Sequence, residues 1–167
     1  MTTADYWQQL PPFDHIITYS FNRELQPLLD ATEAELQTAR YMRQPALRRQ
    51  LERLQQHAGV PLLDEAGGLH STAGPVARLS CLDAAVTELR RILIRPVEWD
   101  VWSGCAPIYR DAVVFCDAEG RRVGVLNVCL QCAYLLPEQG EFLQRDVRVF
   151  DELRDWLRNL GHPVDEP

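Results

Sequence analysis

The sequence contains no lysine: all 17 of its basic residues are arginine. A phosphate-binding P-loop places a lysine on the nucleotide phosphates, and Schiff-base chemistry uses a lysine amine, so both are excluded. The patterns G-x-G-x-x-G, G-x-S-x-G and H-E-x-x-H are absent as well. No apolar run approaches the roughly 20 residues that cross a bilayer. The opening stretch MTTADYWQQLPPFD has neither a basic n-region nor an apolar h-region, which argues against a signal peptide. The expected location is therefore cytoplasmic, where the five cysteines are expected as reduced thiols or metal ligands rather than a disulfide framework. Positive charge is also short: 17 basic residues against 24 acidic give a net charge of −7. Phosphate-rich surfaces recruit a basic excess, so neither nucleic acid nor an anionic membrane is an expected partner. A basic protein partner is compatible with this balance.

What is present describes a globular chain. Its 167 residues, 46% hydrophobic and 25% charged, are enough to bury a core and read as a single α+β domain over residues 1–167. FDHIITY, residues 13–19, is β-prone. Thr32 with Glu35 forms a capping-box pattern opening a helix at ATEAELQTARYM, and Pro45 suits the first turn of PALRRQLERLQQHAG. Residues 59–75 are rich in glycine and proline and read as a loop. Ser80 and Asp83 suggest a second capping box, with Leu82, Val86, Leu89 and Leu93 as the apolar stripe of CLDAAVTELRRILI.

The C-terminal half has a different period. Val97, Trp99 and Val101 alternate with polar residues as in a half-buried strand, and AVVF and RVGVLNV flank the turn-rich CDAEGR as a β-hairpin. The three segments predict an antiparallel meander of at least three strands. A final helix is expected in DVRVFDELRDWLRNLG, burying Val147, Phe150, Leu153, Leu157 and Leu160, with Gly161 as its stop.

Chemistry concentrates in the stretch NVCLQCAYLL, where Cys129 and Cys132 stand in a C-x-x-C spacing. Pairing Cys116 with Arg121 across the hairpin turn and extending the register outward sets Cys105 opposite Cys132, with Cys129 close by. Three readings are open. Cysteine is among the most buried residue types, and the run looks like core. Zinc suits thiolate donors, and Cys105, Cys129 and Cys132 would supply three of four, the fourth being absent locally because His15, His57, His70 and His162 are scattered. Thiol chemistry needs a nearby cation, for which Arg110 is the candidate. Cys81, at the first position of a predicted helix, is expected to pack.

CAPIYRDAVVFCD, residues 105–117, and GRRVGVLNVCLQC, residues 120–132, resemble a group of small bacterial proteins of unestablished activity, seen largely in Bacteroidetes-like genomes. Their pattern is a cysteine and proline, an apolar strand ending in an aromatic and an aspartate, a glycine turn, then I-C-F-x-C. Leu130 stands where that group tends to have an aromatic, and Ile108-Tyr109-Arg110 replaces basic and imidazole residues. The resemblance implies only that Cys105, Cys129 and Cys132 form one constellation. Two functional classes follow: a binding or interaction protein whose cysteines are structural or hold a metal, and a thiol-dependent enzyme or redox-responsive protein using Cys129 or Cys132, with Cys105 as resolving partner. The absence of a placed base, an acid pair or a cofactor motif favours the first.

Overall fold

A computed structural model describes residues 1–100 and 104–164, apart from the side chains of Gln26 and His57. The chain runs through α1 (Thr3–Gln9), β1 (His15–Ser20), α2 (Gln26–Thr38), α3 (Gln44–Ala58) and β2 (Gly74–Ser80). It continues through α4 (Ala84–Leu93), β3 (Asp111–Cys116), β4 (Arg122–Cys129), β5 (Tyr134–Pro137) and α5 (Arg148–Asn159). The strands form one antiparallel sheet in the order β2-β1-β3-β4-β5, so the fold is α+β as the sequence pattern predicts. Among the described residues no helix is long and apolar enough to cross a membrane.

Every residue of the central strand β3 is buried, because both faces of the sheet are covered. Side chains alternate across a strand, and two cores result. Val113 and Phe115 of β3 join Leu126, Val128 and Leu135 beneath α4 and α5. Ala112, Val114 and Cys116 face the other way, with Val125, Cys129 and Tyr134, under Phe21, Leu62 and Tyr109. Asn127 fastens this second cover. Its Oδ1 accepts the Leu62 N–H at 2.8 Å, and its amide donates to the Leu136 carbonyl at 3.1 Å.

The hairpin between β3 and β4 closes as its turn residues dictate. Asp117 Oδ1 accepts the backbone N–H of Glu119 and of Arg121, and Gly120 takes the left-handed conformation (φ 78°). The observed register pairs Asp111 with Val128 and Phe115 with Gly124, two residues from the pairing drawn from sequence, and shifts at Cys116. α5 buries Phe150, Leu153 and Leu157 as expected, together with Val149 and Trp156. The Trp156 indole N–H donates to the Ala85 carbonyl at 2.7 Å, locking α5 to α4.

Several boundaries differ from the sequence reading. α2 begins at Gln26 with Pro27 in its first turn, so Thr32 is interior and its hydroxyl donates to the Leu28 carbonyl instead of capping. β2 occupies Gly74–Ser80 and begins inside the stretch read as loop, because its edge position tolerates Gly74 and Pro75. α4 starts at Ala84, after a turn in which Asp83 accepts the Ser80 N–H, and this leaves Leu82 89% exposed and outside the apolar stripe. Val97 to Trp99 form no strand. Asp146 captures the N–H groups of Glu98 and Trp99, each at 3.0 Å, and ties the segment to the start of α5. Val101 and Trp102 lie outside the described residues. A strand unforeseen from sequence, β5, follows the C-x-x-C turn.

Candidate functional site

Cys129 ends β4, Tyr134 opens β5, and the residues between them form a tight turn. The turn is held at both ends. Ala133 takes a positive φ of 54°, costly for a residue with a Cβ, and Arg145 secures it by donating from Nε to the Ala133 carbonyl at 2.8 Å. The Arg145 guanidinium also stacks 4.8 Å above the Tyr134 ring. At the other end the Cys132 N–H points at Cys129 Sγ, 3.4 Å away.

The chain preceding β3 crosses this turn. Cys105 is bonded to Cys132 as a disulfide, with 5.9 Å between the Cα atoms and 27 residues of sequence separation. Cys105 is exposed, whereas Cys132 is only 3% exposed. Cys132 Sγ also lies 3.2 Å from the Ala106 carbonyl oxygen. Three residues further on, Ile108 donates its N–H to Cys129 Sγ at 3.3 Å. The three cysteines named from sequence do meet, through segments outside the paired strands, and two of them are joined covalently, where reduced thiols or metal ligands were expected. Cys116, at the turn end of the hairpin, and Cys81, in the turn before α4, remain free thiols away from this bond. Cys81 precedes α4 by three residues, not at its first position, because Asp83 is the N-cap.

Cys129 is 1% exposed, and its thiol is pushed above the ordinary range by burial. The N–H groups of Cys132, Ile108 and Gln131 oppose that shift, and the Arg110 charge adds a smaller pull in the same direction. Arg110 itself sits below the usual guanidinium range because burial and the neighbouring Arg23 both penalise its charge. Its Nε and Nη2 are buried without a hydrogen-bond partner among the described residues, as is the Tyr109 hydroxyl.

Residue Asp111, next to Arg110, anchors a polar cluster that no sequence pattern announced. Arg23 Nη2 reaches both carboxylate oxygens of Asp111, at 2.6 and 2.8 Å. His162 Nδ1 lies 2.7 Å from Asp111 Oδ1, and its Nε2 lies 2.8 Å from the Thr18 hydroxyl oxygen. A carboxylate only accepts, so Nδ1 carries the proton toward Asp111. Thr18 Oγ1 in turn accepts the Ala77 N–H at 3.2 Å. Carboxylate, imidazole and hydroxyl stand in the order of a catalytic triad, but Thr18 is fully buried and no substrate reaches it. The cluster ties β1, β3 and the C-terminal segment together.

In this arrangement two of the three candidate zinc ligands bond each other, and a zinc site at Cys105, Cys129 and Cys132 requires that bond to open. Among the described residues no group of three or more histidine, cysteine, aspartate or glutamate side chains is arranged to hold a metal ion. His15 contacts Asp14, and His70 contacts Thr72. No protein family, curated protein or solved structure matches this chain. Function is therefore argued from the site itself.

Proposed function

We propose that this is a redox-responsive protein in which the Cys105–Cys132 disulfide is made and broken by thiol exchange. The observation that carries the reading is the asymmetry of the bond: one sulfur belongs to an exposed residue and the other to a buried one. Exposed disulfides exchange more readily than enclosed ones. The thiolate of a dithiol reductant attacks Cys105 Sγ, forms a mixed disulfide and expels Cys132, which takes up a proton. The second thiol of the reductant then releases Cys105 as a thiol and leaves the reductant as a disulfide. Two electrons and two protons pass to the protein. The Cys132 thiol has a ready acceptor in the Ala106 carbonyl oxygen.

The response to reduction is conformational. Without the bond, the segment from Cys105 to Arg110 keeps only non-covalent ties to the C-x-x-C turn, the Ile108 N–H on Cys129 Sγ and the Cys132 thiol on the Ala106 carbonyl oxygen. Raised toward the neutral thiol, Cys129 acts as a hydrogen-bond anchor and not as the attacking group. This reading suits a cytoplasmic location, where a thiol pool sets the poise.

A second reading keeps the bond as a permanent staple in an acidic binding protein for a protein partner, and the burial of Cys132 favours it. Redox cycling of the intact chain separates the two. Reversible gain and loss of two hydrogens by mass, abolished in Cys105→Ser, supports the switch. Resistance of the folded chain to millimolar dithiol, with reduction only in denaturant, would overturn it.

A further inference from the structure

α2 and α3 form a helical hairpin inserted between β1 and β2, and they pack chiefly on each other. Of their described side chains only Leu29, Thr32, Leu47 and Ala58 are buried, whereas α5 alone buries five. A unit with so little buried contact opens at lower free energy than the body that carries it.

Both ends of this hairpin meet the body at Asn22, which is itself buried. Its side-chain amide donates to the Ala58 carbonyl, at the end of α3, at 2.6 Å, and to the Tyr109 carbonyl at 3.4 Å. Its backbone N–H is held by Thr72 Oγ1 at 2.8 Å, and its φ of 59° is a left-handed value that asparagine tolerates. The two ends are anchored differently. Arg23, leading into α2, grips Asp111 at the start of β3. The end of α3 instead rests on the disulfide-bearing segment. Besides the Asn22 bridge to Tyr109, the Pro107 carbonyl oxygen lies against Gly59, 3.4 Å from where a Cβ would stand.

We propose that the Cys105–Cys132 bond holds the end of α3 in place, and that opening it loosens the hairpin there while α2 stays on its Arg23–Asp111 anchor. The carbonyls of Pro107 and Tyr109 then lose their fixed position beneath Gly59 and Asn22. The redox reading above supplies what opens the bond, and the proposal rests on it for that alone.

The test is hydrogen exchange by mass spectrometry on the oxidised full chain and on Cys105→Ser, a change at an exposed residue that removes the bond without any reductant. Amides from Gln55 to Gly59 should exchange about tenfold faster in the variant, those of the first turn of α2 less so, and those of α4, on the other face of the sheet, at an unchanged rate. Asn22→Gly keeps the backbone conformation and removes the amide bridge. It should speed the same α3 amides in the oxidised chain, and adding Cys105→Ser to it should then have a smaller effect than in the wild type. Should Asn22→Gly fail to fold, Cys105→Ser against the wild type decides alone. Unchanged exchange at the end of α3 in Cys105→Ser, or an equal rise in α4, would overturn the coupling and leave the switch standing. A bond that withstands dithiol in the folded wild type would overturn the switch and leave the coupling standing.

Discussion

Ile108 donates its backbone N–H to the sulfur of Cys129 at 3.3 Å, a contact that fastens the disulfide-bearing segment to β4 at a second point. The thiol that accepts this bond is buried and held above its ordinary range by that burial. Alkylation proceeds through the thiolate, so a raised pKa slows it at neutral pH, and the rate recovers only as pH climbs. After mild reduction, iodoacetamide should label Cys105 first among the three clustered cysteines and leave Cys129 unmodified until denaturant is added. Peptide mass mapping over time checks this order. Fast labelling of Cys129 at neutral pH in the folded protein would make it the reactive group and reverse the roles assigned here.

Asp111 bears on stability more than on chemistry. Its side chain is buried and joins Arg23 on one side to His162 on the other. Removing one partner of a buried charge cluster leaves the others uncompensated, at about 3–5 kcal/mol. Arg23 keeps some contact with solvent, so Asp111→Ala should fall near the lower end, about 3 kcal/mol, read from urea midpoints. A loss under about 1 kcal/mol would mean that His162 and Arg23 find other partners. Thr18→Val, which removes only the outer hydroxyl, should cost about 1 kcal/mol.

Asp146 sets an acid limit. The Arg148 side chain lowers its carboxyl far below the ordinary range, helped by the N–H groups of Glu98, Arg148 and Trp99 and opposed by burial. A depressed carboxylate pKa contributes stability that is fully present above the unfolded value, about 4, and lost as pH falls through the folded value. Stability should therefore decline below about pH 4. Asp146→Asn should be destabilised at neutral pH and show a shallower decline in acid. Parallel acid profiles for the two proteins would assign the acid limit to other carboxylates.

The elements written in strong periods were legible in the sequence. The apolar face of α5, the Leu-rich α3 and the hairpin turning between Asp117 and Gly120 declare themselves through spacing and turn chemistry. The meeting of Cys105 with Cys132 was anticipated as well, but the ladder does not make it: β3 begins at Asp111 and β4 ends at Cys129, so the contact lies between the segment before β3 and the turn after β4. Elements fixed by distant partners were not legible. β2 is an edge strand containing glycine and proline, and only its pairing with β1 makes it a strand. Val97 and Trp99 alternate like a strand, yet Asp146, some 47 residues away, captures the backbone there. The bond between Cys105 and Cys132 is a state of oxidation, which spacing alone does not encode. His162 follows Gly161 in a polar tail, with no local sign that it reaches Asp111.

The reduction potential of Cys105–Cys132 tests the central claim most directly. Equilibrating the folded protein in buffers of defined thiol–disulfide ratio, quenching in acid and counting free Cys105 by mass gives that value. A switch requires a potential within reach of a cellular thiol pool, roughly −180 to −300 mV. The account predicts a value in that window, with Cys129 remaining a thiol throughout. A potential well below about −300 mV would contradict it and make the bond a permanent staple.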